Sequence, residues 1–126
     1  MKTHHREIQI YYNPESNYHR KTLAYAKSMA RHVKSYAFHQ TPSTETSWQQ
    51  IIKALDLEDP KVLLNKADPY YQEHLRGRDF SEACWIKIIQ KNTHLIKFPI
   101  ALRGNRAIVC QRPKDIYKLI EEKATV

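Results

Sequence analysis

Ile8-Gln9-Ile10-Tyr11-Tyr12-Asn13-Pro14-Glu15-Ser16-Asn17-Tyr18-His19-Arg20 is the stretch that decides the fold. Its first five residues alternate and are rich in β-formers, so they read as a strand. Asn13-Pro14 ends that strand in a turn. Ser16 is a favoured helix cap, because its oxygen can accept one of the backbone N–H groups that a first turn leaves unpaired. Leu23, Ala26, Ala30 and Val33 follow at helical spacing. Lys34 to Phe38 then reads as a second strand, rich in aromatics. A strand, a helix and a strand in this order predict a parallel pair joined by a crossover helix.

Further along, Thr41-Pro42-Ser43-Thr44 breaks the second strand and supplies a helix cap. Trp48, Ile51, Ile52 and Leu55 fall on one face of a helix. Asp59-Pro60 starts a short helix through Val62-Leu63-Leu64, with proline at its first position. The stretch from Asp68-Pro69 to Asp79 reads as polar and irregular, with Gly77 in its loop. Ser81 opens another helix, whose apolar side carries Trp85, Ile88 and Ile89. Ile100-Ala101-Leu102 and Ala107-Ile108-Val109 read as paired strands around a Gly104-Asn105 hairpin. Ile116, Leu119 and Ile120 mark a closing amphipathic helix. The order predicts an α/β protein: a thioredoxin-like mixed sheet, β-α-β then β-β-α, with an inserted helical lobe over about residues 42–92. A ferredoxin-like sheet is the alternative, and three internal helices fit it poorly.

A chain of 126 residues suits one domain, residues 1–126. It can bury roughly two-thirds of its unfolded surface. Two glycines, Gly77 and Gly104, exclude a Walker A loop and a GxGxxG turn, which need several close together. No apolar run approaches the ~20 residues that span a bilayer, and Met1 to Glu7 lack a signal-peptide apolar segment. A cytoplasmic protein without a membrane partner is expected. The formal charge is +8, from 21 Lys/Arg against 13 Asp/Glu. Its longest cationic stretch is only His19-Arg20-Lys21, and no RNP-like motif or zinc-finger spacing appears, so nucleic acid is not the expected partner. Cys84 and Cys110 are far apart and form no CxxC, so the simplest dithiol motif is missing. Seven histidines, including His4-His5, show no HExxH or Hx3H spacing, and no metal is assigned.

Four stretches together resemble the ArsC/Spx/YffB family of thioredoxin-fold proteins, which includes glutaredoxin-linked arsenate reductases. They are Ile10 to Pro14 running into a helix with Arg20; Thr41-Pro42; Leu63-Leu64-Asn65-Lys66 with Asp68-Pro69-Tyr70-Tyr71; and Asn92 to Ile100 with the Gly104-Asn105 hairpin and Pro113. The resemblance covers about residues 8–120. The family motif is Asn-Pro-x-Cys-Ser-x-Ser-Arg, and here it is Asn13-Pro14-Glu15-Ser16-Asn17-Tyr18-His19-Arg20. Ser16 therefore stands where the resemblance places the nucleophilic cysteine. The family reaction needs a thiolate at a helix N-terminus, which attacks the oxyanion and later accepts a second thiol. A serine hydroxyl cannot form that mixed disulfide.

The resemblance also implies three further arginines. Asn65, Phe98 and Gln111 stand at their positions, and Arg112 is one residue out of step. Only Arg20 remains of the basic cluster, and Glu15 adds a negative charge beside it. Two readings of Ser16 stay open: a helix cap, or a nucleophile with His19 one turn away as base. Cys84 is either a small filler beside Trp85 or a thiol activated at the third position of its helix. Cys110 is either a core residue or a relocated thiol. By resemblance, Phe98-Pro99 is expected to be a cis bond beside the site. Asn13, Ser16, Arg20, Phe98, Pro99 and Gln111 are the expected ligand-binding positions.

Two functions follow. In the first, the protein has lost reductase chemistry and binds or regulates a protein partner. The Spx branch, which binds RNA polymerase, is the precedent, although its CxxC switch is missing here. In the second, it is a glutaredoxin- or glutathione-dependent arsenate reductase or thiol oxidoreductase using Cys110 or Cys84. No cofactor is expected in the first case, glutathione or a small anion in the second.

Overall fold

The computed structural model describes residues 7–38, 45–57, 60–104 and 106–120. Expectations for His4-His5, Thr41-Pro42-Ser43-Thr44, Asp59, Asn105 and the side chain of Ile120 lie outside the described residues. The chain divides into two compact units, Met1–Thr41 with Phe98–Val126, and Pro42–Lys97.

The first unit holds a four-stranded sheet. Strand β1 (Glu7–Tyr12) leads into helix α1 (Asn17–Met29) and strand β2 (His32–Ala37). Strands β3 (Ile100–Arg103) and β4 (Arg106–Val109) form the hairpin. The order is β2-β1-β3-β4. β1 pairs β2 in parallel, with Ile10 opposite Ser35, and pairs β3 antiparallel, with Ile10 opposite Ala101. β3 and β4 are antiparallel, with Ala101 opposite Ile108. Gly104 holds φ +59 in the turn between them, a left-handed conformation that suits glycine. A 3-10 turn, Pro113–Ile116, continues into helix α4 (Tyr117–Ile120).

Alternation along β1 sends Ile8 and Ile10 to one face of the sheet. There they join Leu23, Ala26, Ala101, Cys110, Ile116 and Leu119 in one buried cluster. α1 packs on the Pro113–Ile116 turn. Burying each isoleucine or leucine stabilises the unit by about 1.5–3 kcal/mol before chain entropy is counted. Val33 belongs to β2 rather than to the helix expected for it. The chain leaves helical geometry at Ala30, whose φ and ψ are extended, and a β-branched residue suits the strand that follows.

The second unit is helical. Helices α2 (Glu45–Leu55) and α3 (Glu82–Lys91) pack on each other. They bury Trp48, Ile51 and Ile52 from one, and Trp85, Ile86 and Ile89 from the other. Ile88, expected on the buried face, is half-buried, because Ile86 and Ile89 with Trp85 define that face. Short turns at Pro60–Leu63 and Thr93–Leu95 are tied by Asn65 N–H donating to Leu95 O (2.7 Å) and Lys97 N–H to Leu63 O (2.8 Å). The stretch expected to be irregular instead contains a π-helical turn, Tyr71–Leu75. It buries Tyr71 and Leu75, an apolar pair hidden among polar neighbours in the sequence.

Candidate functional site

The loop from β1 into α1 is closed by three atoms of Asn13. Its side-chain Oδ1 accepts from Glu15 N–H (3.0 Å). Its carbonyl accepts from Ser16 N–H (3.1 Å). Its own N–H donates to Nδ1 of His19 (2.9 Å). Ser16 has extended φ and ψ, and its hydroxyl oxygen accepts from His19 N–H at 3.3 Å. That is the helix-cap arrangement, typically worth about 1 kcal/mol.

His19 is buried (3% exposed), with Tyr18 edge-on at 5.1 Å and Phe38 edge-on at 6.5 Å between ring centroids. A ring nitrogen that accepts a hydrogen bond carries no proton, so the neutral ring is held in its Nε2–H form. The nitrogen facing Asn13 is thereby committed to the backbone. His19 acts as a turn fastener, a role that sequence reasoning missed. The contact spans six residues, and no helical or strand periodicity signals it.

Arg20 is exposed, and its guanidinium donates to Pro14 O (2.7 Å) and to Oδ1 of Asn17. The one retained family arginine thus straps the loop to the first turn of α1. The helix start still offers a positive dipole end beside an arginine, the general requirement for holding an anion. Glu15 is also exposed and opposes such a charge.

Pro99 and Cys110 meet across the hairpin, with Cys110 N–H donating to Pro99 O at 2.9 Å. Pro99 is fully buried and Phe98 half-buried. The expected cis Phe98-Pro99 bond is not found, for no peptide bond among the described residues is cis. Trans is the lower-energy form of an X–Pro bond by about 0.5–1 kcal/mol, and the carbonyl of Pro99 reaches Cys110 from it.

Cys110 is wholly buried. Burial, reinforced by the Asp115 carboxylate, pushes its thiol pKa up to about 12. Burial with Cys110 and Asp115 nearby also pushes the Tyr18 phenol up. Gln111 and Arg112 are exposed, and the Arg112 guanidinium lies 3.6 Å from Asp115. Cys110 is therefore a core residue.

Cys84 and Asn65 lie in the helical unit. Cys84 N–H donates to the Ser81 hydroxyl at 3.2 Å, which fixes Cys84 at the third position of α3. The cysteine is exposed, not packed as filler beside Trp85. Ser81 through Cys84 are all exposed, and burial on α3 starts at Trp85. Asn65 uses its side chain locally, its Oδ1 accepting from Ala67 N–H (3.1 Å). An unanticipated pair joins Asp68 to His94, Oδ2 to Nδ1 at 3.1 Å, with Tyr70 N–H held by the other carboxylate oxygen (2.9 Å). Among the described residues, no group of three or more His, Cys, Asp or Glu could hold a metal ion. No helix there is long and apolar enough to cross a membrane.

The mixed sheet, the serine-capped helix after β1 and the buried proline before β3 define a thioredoxin-like α/β protein. The chain belongs to the ArsC family, whose family model matches residues 11–119. It is 26% identical over 114 residues to an arsenate reductase of Haemophilus influenzae, covering 90% of this chain and 98% of that one. An arsenate reductase structure from Vibrio cholerae superimposes with a TM-score of 0.83 at 18% identity, over 90% of this chain and 98% of that one. An arsenate reductase (ArsC) related protein from Brucella melitensis gives 0.63 at 14% identity, over 92% and 96%.

Proposed function

We propose that this ArsC-family protein has lost reductase chemistry and acts in the cytoplasm as a binding or regulatory module for a protein partner. The observation that carries this reading is the hydroxyl at Ser16, bonded as a cap at the start of α1. Arsenate reduction of the family type requires a nucleophile that becomes oxidised and is then released by a second thiol. An oxygen nucleophile offers no such step. Cys110 does not replace it. That cysteine is wholly buried, and burial pushes its thiol pKa up to about 12, which disfavours the thiolate that the reaction needs. Ser16, Asn13, Arg20 and the Phe98-Pro99 segment then serve as scaffold or ligand contacts rather than as catalysts.

One observation favours the alternative of a thiol oxidoreductase. Cys84 is exposed at the third position of α3, where a reagent or second thiol can reach it. Glutathione would then be the electron donor. A glutaredoxin-coupled arsenate reductase assay on the reduced protein separates the two. The expected result is no turnover above background. Turnover that disappears in Cys84→Ser would reject the first reading in favour of the second. A Ser16→Cys variant, assayed alongside, reports whether the rest of the site still supports the reaction.

A further inference from the structure

The charge of this protein is not spread evenly. Pro42–Lys97 carries eight Lys/Arg and eight Asp/Glu, so the helical unit is formally neutral. The sheet unit carries thirteen against five, and holds the whole surplus of +8. Of its five acids, Glu15 is exposed in the turn before α1, and Glu7 is 3.7 Å from Lys34. Asp115 is buried between Arg112 (3.6 Å) and Lys118 (3.7 Å). Glu121 and Glu122 lie outside the described residues.

The uncompensated cations gather on one pair of packed elements. α1 contains no acidic residue at all. Arg20 and Lys27 are exposed at a spacing of seven, hence on one stripe of the helix, and exposed Arg31 follows its end. Lys114 is exposed on the Pro113–Ile116 turn, which packs against α1. Among the described residues, none of these four meets a carboxylate. A seam joins the two elements: Tyr25 of α1 stacks on Tyr117 of α4, with centroids 5.6 Å apart and planes 15° apart. Lys21 covers the Tyr25 ring at 5.9 Å.

We infer that α1 and the adjoining Pro113–Ile120 segment form a docking face for an acidic segment of a partner protein. The inference rests on the binding reading above and names its partner chemistry. Like charges gathered on one face create a positive field, and an acidic partner is steered to it and relieves its self-repulsion. The seam distinguishes acidic peptide from single-stranded nucleic acid. Base-stacking proteins offer free aromatic faces. Here Tyr25 has Tyr117 on it and Lys21 over it, so it is not such a platform. Carboxylate side chains need only the cations.

The test is fluorescence anisotropy of a labelled oligoglutamate peptide, with single-stranded DNA as the second probe, across a salt series. The wild type is expected to bind oligoglutamate in preference to single-stranded DNA at equal probe charge. Lys27→Glu/Arg31→Glu/Lys114→Glu is expected to weaken peptide binding by about tenfold or more. A charge-matched control in the neutral unit, Lys53→Glu/Lys66→Glu/Lys87→Glu, is expected to change it by less than about twofold. Circular dichroism melts establish that both variants fold, and single reversals serve if the triple does not. Equal loss in both variants would overturn the inference by showing diffuse charge. Preference for DNA would overturn it in favour of nucleic acid. Neither result touches the reductase assay, whose turnover would instead overturn the binding reading while leaving the peptide titration standing.

Discussion

α1 and α3 start in the same way and end up chemically unlike. Each is capped by a serine whose hydroxyl accepts the N–H three residues on, His19 at 3.3 Å and Cys84 at 3.2 Å. At that third position α1 carries a buried imidazole that fastens the preceding turn, while α3 carries an exposed thiol. α1 has no acid in its first turn, and α3 has Glu82. A backbone device suited to activating a thiol is therefore present twice. In the unit that the family resemblance marks as catalytic, it holds no sulfur. The difference teaches that helix-start geometry alone does not specify chemistry. The side chain placed on it does.

The sharpest break in this comparison is thiol accessibility. A maleimide reagent should modify Cys84 in the native protein at a rate near that of a free thiol. Cys110 should react only through opening of its core, slower by about a thousandfold or more. Mass spectrometry of quenched time points reads both rates. Equal rates would remove Cys110 from the core and reopen the relocated-thiol reading.

Next in size is alkaline stability. The Cys110 pKa is raised in the folded state, to about 12, above that of an unfolded thiol near 8.5. Its stabilising contribution is complete below the unfolded pKa and is lost as pH rises towards 12, because only the unfolded chain ionises in between. The loss is at most about 1.4 kcal/mol per pH unit for one group. Denaturant titrations at pH 8, 9 and 10 should show falling stability. Cys110→Ala should flatten that slope while lowering the whole curve through its cavity. A slope unchanged in Cys110→Ala would assign the alkaline loss to other groups.

The smallest effect concerns the caps themselves. Ser16→Ala and Ser81→Ala should each lower stability by about 1 kcal/mol, and adding them should be nearly additive. Thermal melts of the three variants check this. A Ser16→Ala loss well above the Ser81→Ala loss would mean that the His19 fastener also depends on the cap.

The parts legible in the sequence were those set by local rules. Ser16 and Ser81 as caps, β1 as a strand and the β3–β4 hairpin follow from alternation, helix-cap chemistry and a turn glycine. The topology follows from their order. What escaped was decided by tertiary packing. Tyr71 and Leu75 are buried by a π-helical turn that no 3.6-residue period announces. Cys84 lies outside the buried face, which takes Ile86 in place of Ile88. The Asn13–His19 bond joins a turn residue to a helix residue six positions on, a spacing that neither helix nor strand periodicity marks. The expected cis proline came from resemblance rather than from any residue-level constraint, and there the chain took the lower-energy isomer.

The insertion of Pro42–Lys97 has a kinetic consequence. β1 must pair with β3, for example Tyr11 with Ile100, across roughly ninety residues of chain. Loop closure over that distance is entropically demanding unless the intervening chain is already compact. During synthesis, β1 and β2 emerge early, with the β3 side of the sheet unformed until the whole helical unit has left the ribosome. The helical unit is closed by contacts that lie wholly within it, such as α2 on α3 and Asn65 N–H on Leu95 O, across shorter loops than β1 to β3, so it can collapse first and shorten the effective loop. Its contribution to this protein then includes timing: it brings the two halves of the sheet within reach of each other.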